Sequence, residues 1–173
     1  MYKEDTMDRE IIDLLIQDGR MPCADIARRL GNVTERSVRY RLARLIDHGV
    51  IRISAIVNPK ALGFGVTADV WLEIEPGHVQ EVAHRMAQFE QVSYVACSTG
   101  ERDLSIQVYA RDNEELYRFV TEVIGHVPAV RKTTTILVPM VLKDVYDWHI
   151  LSPQEDKEGN STGVHPPPIH RGY

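Results

Sequence analysis

Between positions 28 and 52 the chain carries Arg28, Arg29, Arg36, Arg39, Arg41, Arg44 and Arg52, opposed only by Glu35 and Asp47. That stretch is locally +5 in a chain whose net charge is −5. Guanidinium groups suit two chemistries: charge neutralisation of nucleic-acid phosphates and two-pronged donation to the O6/N7 edge of guanine. A solvated helix face is the bland alternative for the same charges. Residues 61–151 form the counterweight, with seven basic and thirteen acidic side chains. A basic stripe of this kind would face a polyanion while the acidic remainder faces elsewhere.

A second group is consecutive: Ser98, Thr99, Gly100, Glu101, Arg102 and Asp103. Gly100 can take φ > 0 and expose backbone amides to a carboxylate, and two hydroxyls stand beside it. Arg102 can pair with a carboxylate and Asp103 can accept from an ammonium group, so an amino-acid zwitterion would find both signs. The same residues also suit a simple hairpin turn, and Arg102 could equally bridge to Glu101 or to a neighbouring subunit. No catalytic residues, metal site or cofactor are expected. Cys23 and Cys97 form no paired motif and the histidines are scattered. His165 and His170, in a proline-rich stretch, fall short of the roughly four ligands of a closed site.

Periodicity supplies the elements that position these groups. Ile11, Ile12, Leu14 and Leu15 share one face of a first helix, which Gly19 stops. Ala24, Ile26, Ala27 and Leu30 give a short second helix closed by Gly31. Thr34 is the N-cap of a third, with Val38, Leu42, Leu45 and Ile46 inward and Gly49 at its end. Arg36, Tyr40 and Arg44 then point nearly opposite the apolar stripe, flanked by Ser37, Arg39 and Ala43. Helix, tight turn, helix is the helix-turn-helix unit. A third helix of about 22 Å carrying that face fits a major groove ~12 Å wide. Recognition helices read bases near their N-termini, which assigns Arg36, Ser37, Arg39 and Tyr40 to base edges. Arg41 and Arg44, further along, and Arg28 and Arg29, on the preceding helix, are assigned to phosphates.

A β-type run over 50–57 follows and Asn58-Pro59 breaks it. Strands are then expected over 66–74, 92–97, 103–110 and 130–142, with helices over 79–89 and 113–124. The order βαββαβ is that of a ferredoxin-like α+β domain, with helices on one face of an antiparallel sheet. Trp71, Ile136 and Val138 are too apolar for a comfortable solvent face, so a dimer through the sheet is expected. The chain divides into a helix-turn-helix domain (1–50), a β-type run and linker (51–63), a ferredoxin-like domain (64–145) and a disordered tail (152–173).

Composition bounds the class. Of 173 residues, 43% are hydrophobic and 26% charged, which excludes collagen-like and wholly disordered chains, and two cysteines exclude a disulfide scaffold. No apolar run approaches the ~20 residues of a membrane span. The opening ten residues are acidic and polar, unlike a secretory signal, so a reduced cytoplasmic setting is expected.

Over residues 7–142 the chain resembles the leucine-responsive/asparagine-synthase regulator (Lrp/AsnC) family of transcription factors. The resemblance rests on Met7-Asp8-Arg9-Glu10-Ile11-Ile12, Ile26-Ala27-Arg28-Arg29-Leu30-Gly31 and Ser37-Val38-Arg39-Tyr40-Arg41-Leu42. It continues through Leu45-Ile46-Asp47-His48-Gly49-Val50-Ile51, Asn58-Pro59-Lys60-Ala61-Leu62-Gly63 and Thr99-Gly100-Glu101-Arg102-Asp103-Leu104. It implies that the first domain is winged-type, the run after it a hinge strand and the ferredoxin-like domain an effector and oligomerisation domain. It implies nucleoid-associated regulators that bind pseudo-palindromic double-stranded DNA as dimers, tetramers or octamers. It also implies an amino acid or similar effector held near the Gly-x-x-Asp turn. Two departures stand out: the turn before the third helix is one residue longer than the family pattern, and Arg102 stands where an aromatic is common. Sirohaem decarboxylases share the two-domain plan, but their His/Asn-Tyr signature is absent from Val92-Ser93-Tyr94-Val95-Ala96-Cys97. A sensor domain with a silent DNA head is the third reading.

Overall fold

The computed structural model describes residues 2–144; the 152–173 tail, with His165 and His170, lies outside the described residues. The chain forms two compact units that meet in sequence at Ile56 and Val57.

The first unit is three helices: α1 (Thr6–Gln17), α2 (Cys23–Leu30) and α3 (Glu35–Asp47). Asp5 caps α1 by accepting from the Asp8 amide at 2.9 Å, and the Asp8 carboxylate accepts from the Asp5 amide at 3.3 Å. This reciprocal capping box satisfies two donors the first turn would otherwise leave open. Thr34 caps α3 through the Ser37 amide at 3.2 Å. Gly31 and Gly49 end α2 and α3 with φ of 76° and 67°, a region open to glycine at no steric cost. The core gathers Ile11, Ile12, Met21, Ile26, Ala27, Val38 and Leu45. Ile46, expected inward, is 44% exposed. Val38 and Leu45 lie in line seven residues apart, whereas Ile46 falls roughly 80° round from Val38 at 100° per residue.

Residues 50–57, expected as a strand, form none. The run is β-branched, but no strand among the described residues offers it a ladder, and β propensity alone does not make a strand. The amides of Val50 and Ile51 donate instead to the Leu45 carbonyl at 2.9 and 3.3 Å. Ile53, Ile56 and Val57 are exposed. No β-wing therefore follows α3 among the described residues.

The second unit has β1 (Val66–Ile74), α4 (Val79–Met86), β2 (Val92–Cys97), β3 (Leu104–Ala110), α5 (Asn113–Arg118) and β4 (Val130–Leu137). The sheet order is β2-β3-β1-β4, with every neighbouring pair antiparallel. This is the ferredoxin-like arrangement. Alternation decides the faces. Ala68, Val70, Leu72 and Ile74 of β1 and Leu104, Ile106, Val108 and Ala110 of β3 are buried in one core with Val82, Met86, Leu116 and Phe119. After α5 the helix widens into a π turn (Phe119–Val123) and tightens into a 3₁₀ turn (Ile124–His126). Phe119, Val120 and Ile124 of this stretch are all buried. β4 ends at Leu137, short of the expected 142, because Pro139 has no amide for the ladder.

The opposite sheet face is partly exposed. Asp69 pairs across the strands with Gln107 and Ile136, and Trp71 with Ser105 and Thr134. Gln107 Nε2 donates to Asp69 at 3.3 Å, and the Tyr109 hydroxyl donates to Gln107 Oε1 at 3.1 Å.

Candidate nucleic-acid interface and effector turn

The outer face of α3 and the end of α2 present Arg28, Arg29, Arg36, Arg39, Tyr40 and Arg44, all exposed. They do not stand alike. Arg28 pairs with Asp25 and Arg39 with Glu35, each within its own helix. Exposed helical pairs of this kind are worth only ~0.3–0.5 kcal/mol, so a phosphate or base edge can take either arginine at small cost. Arg29 and Arg36 have no ion-pair partner among the described residues. Arg44 lies over two phenol rings, with its Cζ 5.3 Å from the Tyr2 ring centre and 5.8 Å from that of Tyr40. Ser37 is half-buried, its amide held by the cap.

Arg41 was assigned to phosphate, and the structure corrects this. Its Nη1 donates to Asp5 at 2.8 and 2.7 Å and to Asp8 Oδ1 at 2.8 Å. The Arg41 side chain is 25% exposed and that of Asp8 only 4%. A half-buried guanidinium compensating a buried carboxylate cannot leave without stranding that charge. Arg41 therefore ties α3 to the cap of α1. The Arg41 guanidinium, aided by the Asp8 amide, holds the Asp5 carboxyl below its ordinary value. The Tyr2 hydroxyl donates to Asp8 Oδ2 at 2.8 Å, and that bond pushes the Tyr2 phenol up. Sequence reasoning missed Tyr2, Asp5 and Asp8. The Asp-x-x-Asp spacing just ahead of the first apolar run was the available signal.

The six residues of the second group join β2 to β3. The Ser98 amide donates to the Asp103 carbonyl at 3.0 Å and its hydroxyl to the Arg102 carbonyl at 2.8 Å. Gly100 has φ of 135°, where side chains are strained. Asp103, a candidate acceptor for an ammonium group, also serves the fold. Its Oδ2 accepts from the Ile74 amide at 2.8 Å, and its own amide donates to the Leu72 carbonyl at 3.0 Å. The reason is topological: β3 starts beside the end of β1, and the carboxylate satisfies an amide there. Ser98, Thr99, Glu101 and Arg102 line an open concavity of about 380 Å³ whose remaining wall is Trp71. The Arg102 guanidinium lies over that indole, 5.5 Å from its centre. Stacking leaves the guanidinium edge free to donate. Gly100 and Asp103 shape the turn from outside that lining.

No group of three or more His, Cys, Asp or Glu among the described residues could hold a metal ion. No helix among them is long and apolar enough to cross a membrane.

Residues 5–46 match the AsnC-type helix-turn-helix domain and residues 67–146 the Lrp/AsnC ligand binding domain. An HTH-type transcriptional regulator of Pyrococcus abyssi is 39% identical over 140 residues, covering 80% of this chain and 88% of its own length. The HTH-type transcriptional regulator FL11 of the same organism is 36% identical over 147 residues, covering 84% and 96%. Among solved structures, AsnC of E. coli matches with a TM-score of 0.77 at 21% identity, covering 84% of this chain and 99% of its own. A Neisseria meningitidis regulator solved as an L-Met complex matches with a TM-score of 0.76 at 21% identity, covering 82% and 94%. At those identities the likeness is one of fold.

Proposed function

The chain belongs to the Lrp/AsnC family of transcriptional regulators, with a helix-turn-helix domain and a ligand-binding domain, and from that membership we propose how it reads DNA and what it senses. α3 enters the major groove of a pseudo-palindromic site, with Arg36, Ser37, Arg39 and Tyr40 at base edges. Arg28, Arg29 and Arg44 meet phosphates on either side. A homodimer, or a tetramer or octamer built from it, supplies the two-fold symmetry that such a site mirrors. The regulator acts in the cytoplasm, on the nucleoid, and carries out no catalytic step.

The concavity at Trp71 and Arg102 takes a small carboxylate-bearing effector, an amino acid foremost. The guanidinium edge and the Thr99 hydroxyl are its donors, the Ser98 hydroxyl being given to the Arg102 carbonyl, and the Glu101 carboxylate suits an ammonium group. The observation that carries the reading is the exposed α3 face, where Arg36 has no ion-pair partner among the described residues and Arg39 is held by a weak helical pair.

The test is in-vitro selection from random duplex DNA with the full chain at near-physiological salt, with and without amino acids. Enrichment of a dyad motif, with half-sites spaced by whole helical turns, is expected. Failure to enrich any motif under either condition would mean a silent DNA head, and attention would move to the second domain alone.

A further inference from the structure

Tyr2 precedes every element of the first unit, yet it touches the last turn of α3. Its hydroxyl is bonded to Asp8 Oδ2 at 2.8 Å. Its ring faces the Arg44 guanidinium at 5.3 Å on one side and the His48 ring at 5.1 Å on another. Tyr40, one turn before Arg44, approaches the same guanidinium at 5.8 Å. His48 closes the group by donating from Nδ1 to the Arg44 carbonyl at 2.9 Å. Arg28, Arg39 and Arg41 all have carboxylate partners. Arg44 has no ion-pair partner among the described residues and is held by aromatic faces instead, which order the side chain without neutralising its charge.

We propose that Tyr2 is a positioning residue of the nucleic-acid interface: with Tyr40 it clamps the Arg44 guanidinium in place for a phosphate before DNA arrives. This rests on the assignment of Arg44 to phosphate made above. A long free side chain loses rotamer freedom when a ligand captures it. One already stacked has lost that freedom, and its N–H edge remains available to oxygen. The Tyr2–Asp8 bond anchors the clamp to the buried carboxylate that Arg41 also serves, so clamp and cap form one unit.

The experiment is a double-mutant cycle on the full chain, read by fluorescence anisotropy of a labelled random-sequence duplex across a salt series. Tyr2→Ala should weaken binding about three- to fivefold, the range of an exposed cation–π contact. It should weaken it not at all in an Arg44→Ala background. Tyr2→Phe, which keeps the ring and gives up only the bond to Asp8, should lose less binding than Tyr2→Ala. Arg44→Ala should flatten the salt dependence by about one phosphate contact, whereas Tyr2→Ala, which removes no charge, should leave the slope unchanged. If Tyr2→Ala does not fold, Tyr2→Leu takes its place, since it keeps bulk and removes the aromatic face. Equal losses in both backgrounds, or no loss in the wild-type background, would overturn the clamp. A wild-type chain that does not bind the duplex at all would overturn the phosphate assignment itself, and the clamp with it.

Discussion

Arg41 Nη1 lies 2.8 Å from Asp8 Oδ1, so a guanidinium on α3 neutralises a carboxylate buried at the start of α1. Asp8 is the one charged side chain buried among the described residues. Removing its partner would leave it only the Tyr2 hydroxyl and the Asp5 amide.

Arg41→Met should therefore destabilise the helical head by ~2–4 kcal/mol, somewhat below the ~3–5 kcal/mol for breaking a fully buried pair because Arg41 is partly exposed. Chemical denaturation followed by far-UV circular dichroism measures this. A loss below ~0.5 kcal/mol, the scale of an exposed pair, would show that solvent already compensates Asp8.

The same contact has a pH signature. Asp5 titrates below its ordinary value in the folded head, chiefly through the hydrogen bond from Arg41. A lowered folded pKa contributes stability that is fully present above the unfolded value of about 3.9 and is lost as pH falls through the folded value. The contribution is flat at neutral pH and disappears only in acid. In Arg41→Met the Asp5 midpoint should rise toward the ordinary value, as read by NMR titration of the carboxyl carbon. An unmoved midpoint would assign the shift to the helix cap alone.

Arg36 stands exposed near the start of α3 with no ion-pair partner among the described residues. Arg36→Ala should cost ~1–3 kcal/mol on the selected site and much less on random duplex if it makes a two-pronged base contact. Equal losses on both would make it a phosphate contact.

Asp103 contributes an acceptor to the Ile74 amide. Asp103→Ala leaves that amide unpaired and should lower the stability of the second domain by ~1–3 kcal/mol. Asp103→Asn, which keeps a side-chain oxygen, should recover most of it in the same denaturation experiment. If Asn is as damaging as Ala, the negative charge itself is required.

Much of the fold is written in local signals. Thr34 ahead of a charged turn marks the start of α3, and the seven-residue step from Val38 to Leu45 fixes its inner face. Strict alternation in β1 and β3 places their cores without tertiary information. The arginines of α2 and α3 are legible in the sequence as a set but not individually. Arg41 differs from its neighbours only through Asp5 and Asp8, 36 and 33 residues earlier, which α1 brings alongside. Asp103 likewise reads as a ligand group until strand pairing sets it against the end of β1. Trp71 read as part of an interface because alternation names a face and not a place on it. Its register opposite Ser105, at the turn end of β3, makes it a wall of the concavity. The run 50–57 shows the converse limit, since a strand needs a neighbour and composition cannot supply one.

The stacking of Arg102 on Trp71 turns the second domain into its own optical reporter. Indole emission depends on the charge and polarity beside the ring, and here that neighbour is a guanidinium 5.5 Å from its centre. The chain has two tryptophans, Trp71 and Trp148. With Trp148 replaced by phenylalanine, the tryptophan emission, excited selectively over the seven tyrosines, would come from the concavity alone. A carboxylate that draws the guanidinium off the ring would register as a spectral change, without a label and without DNA in the cuvette.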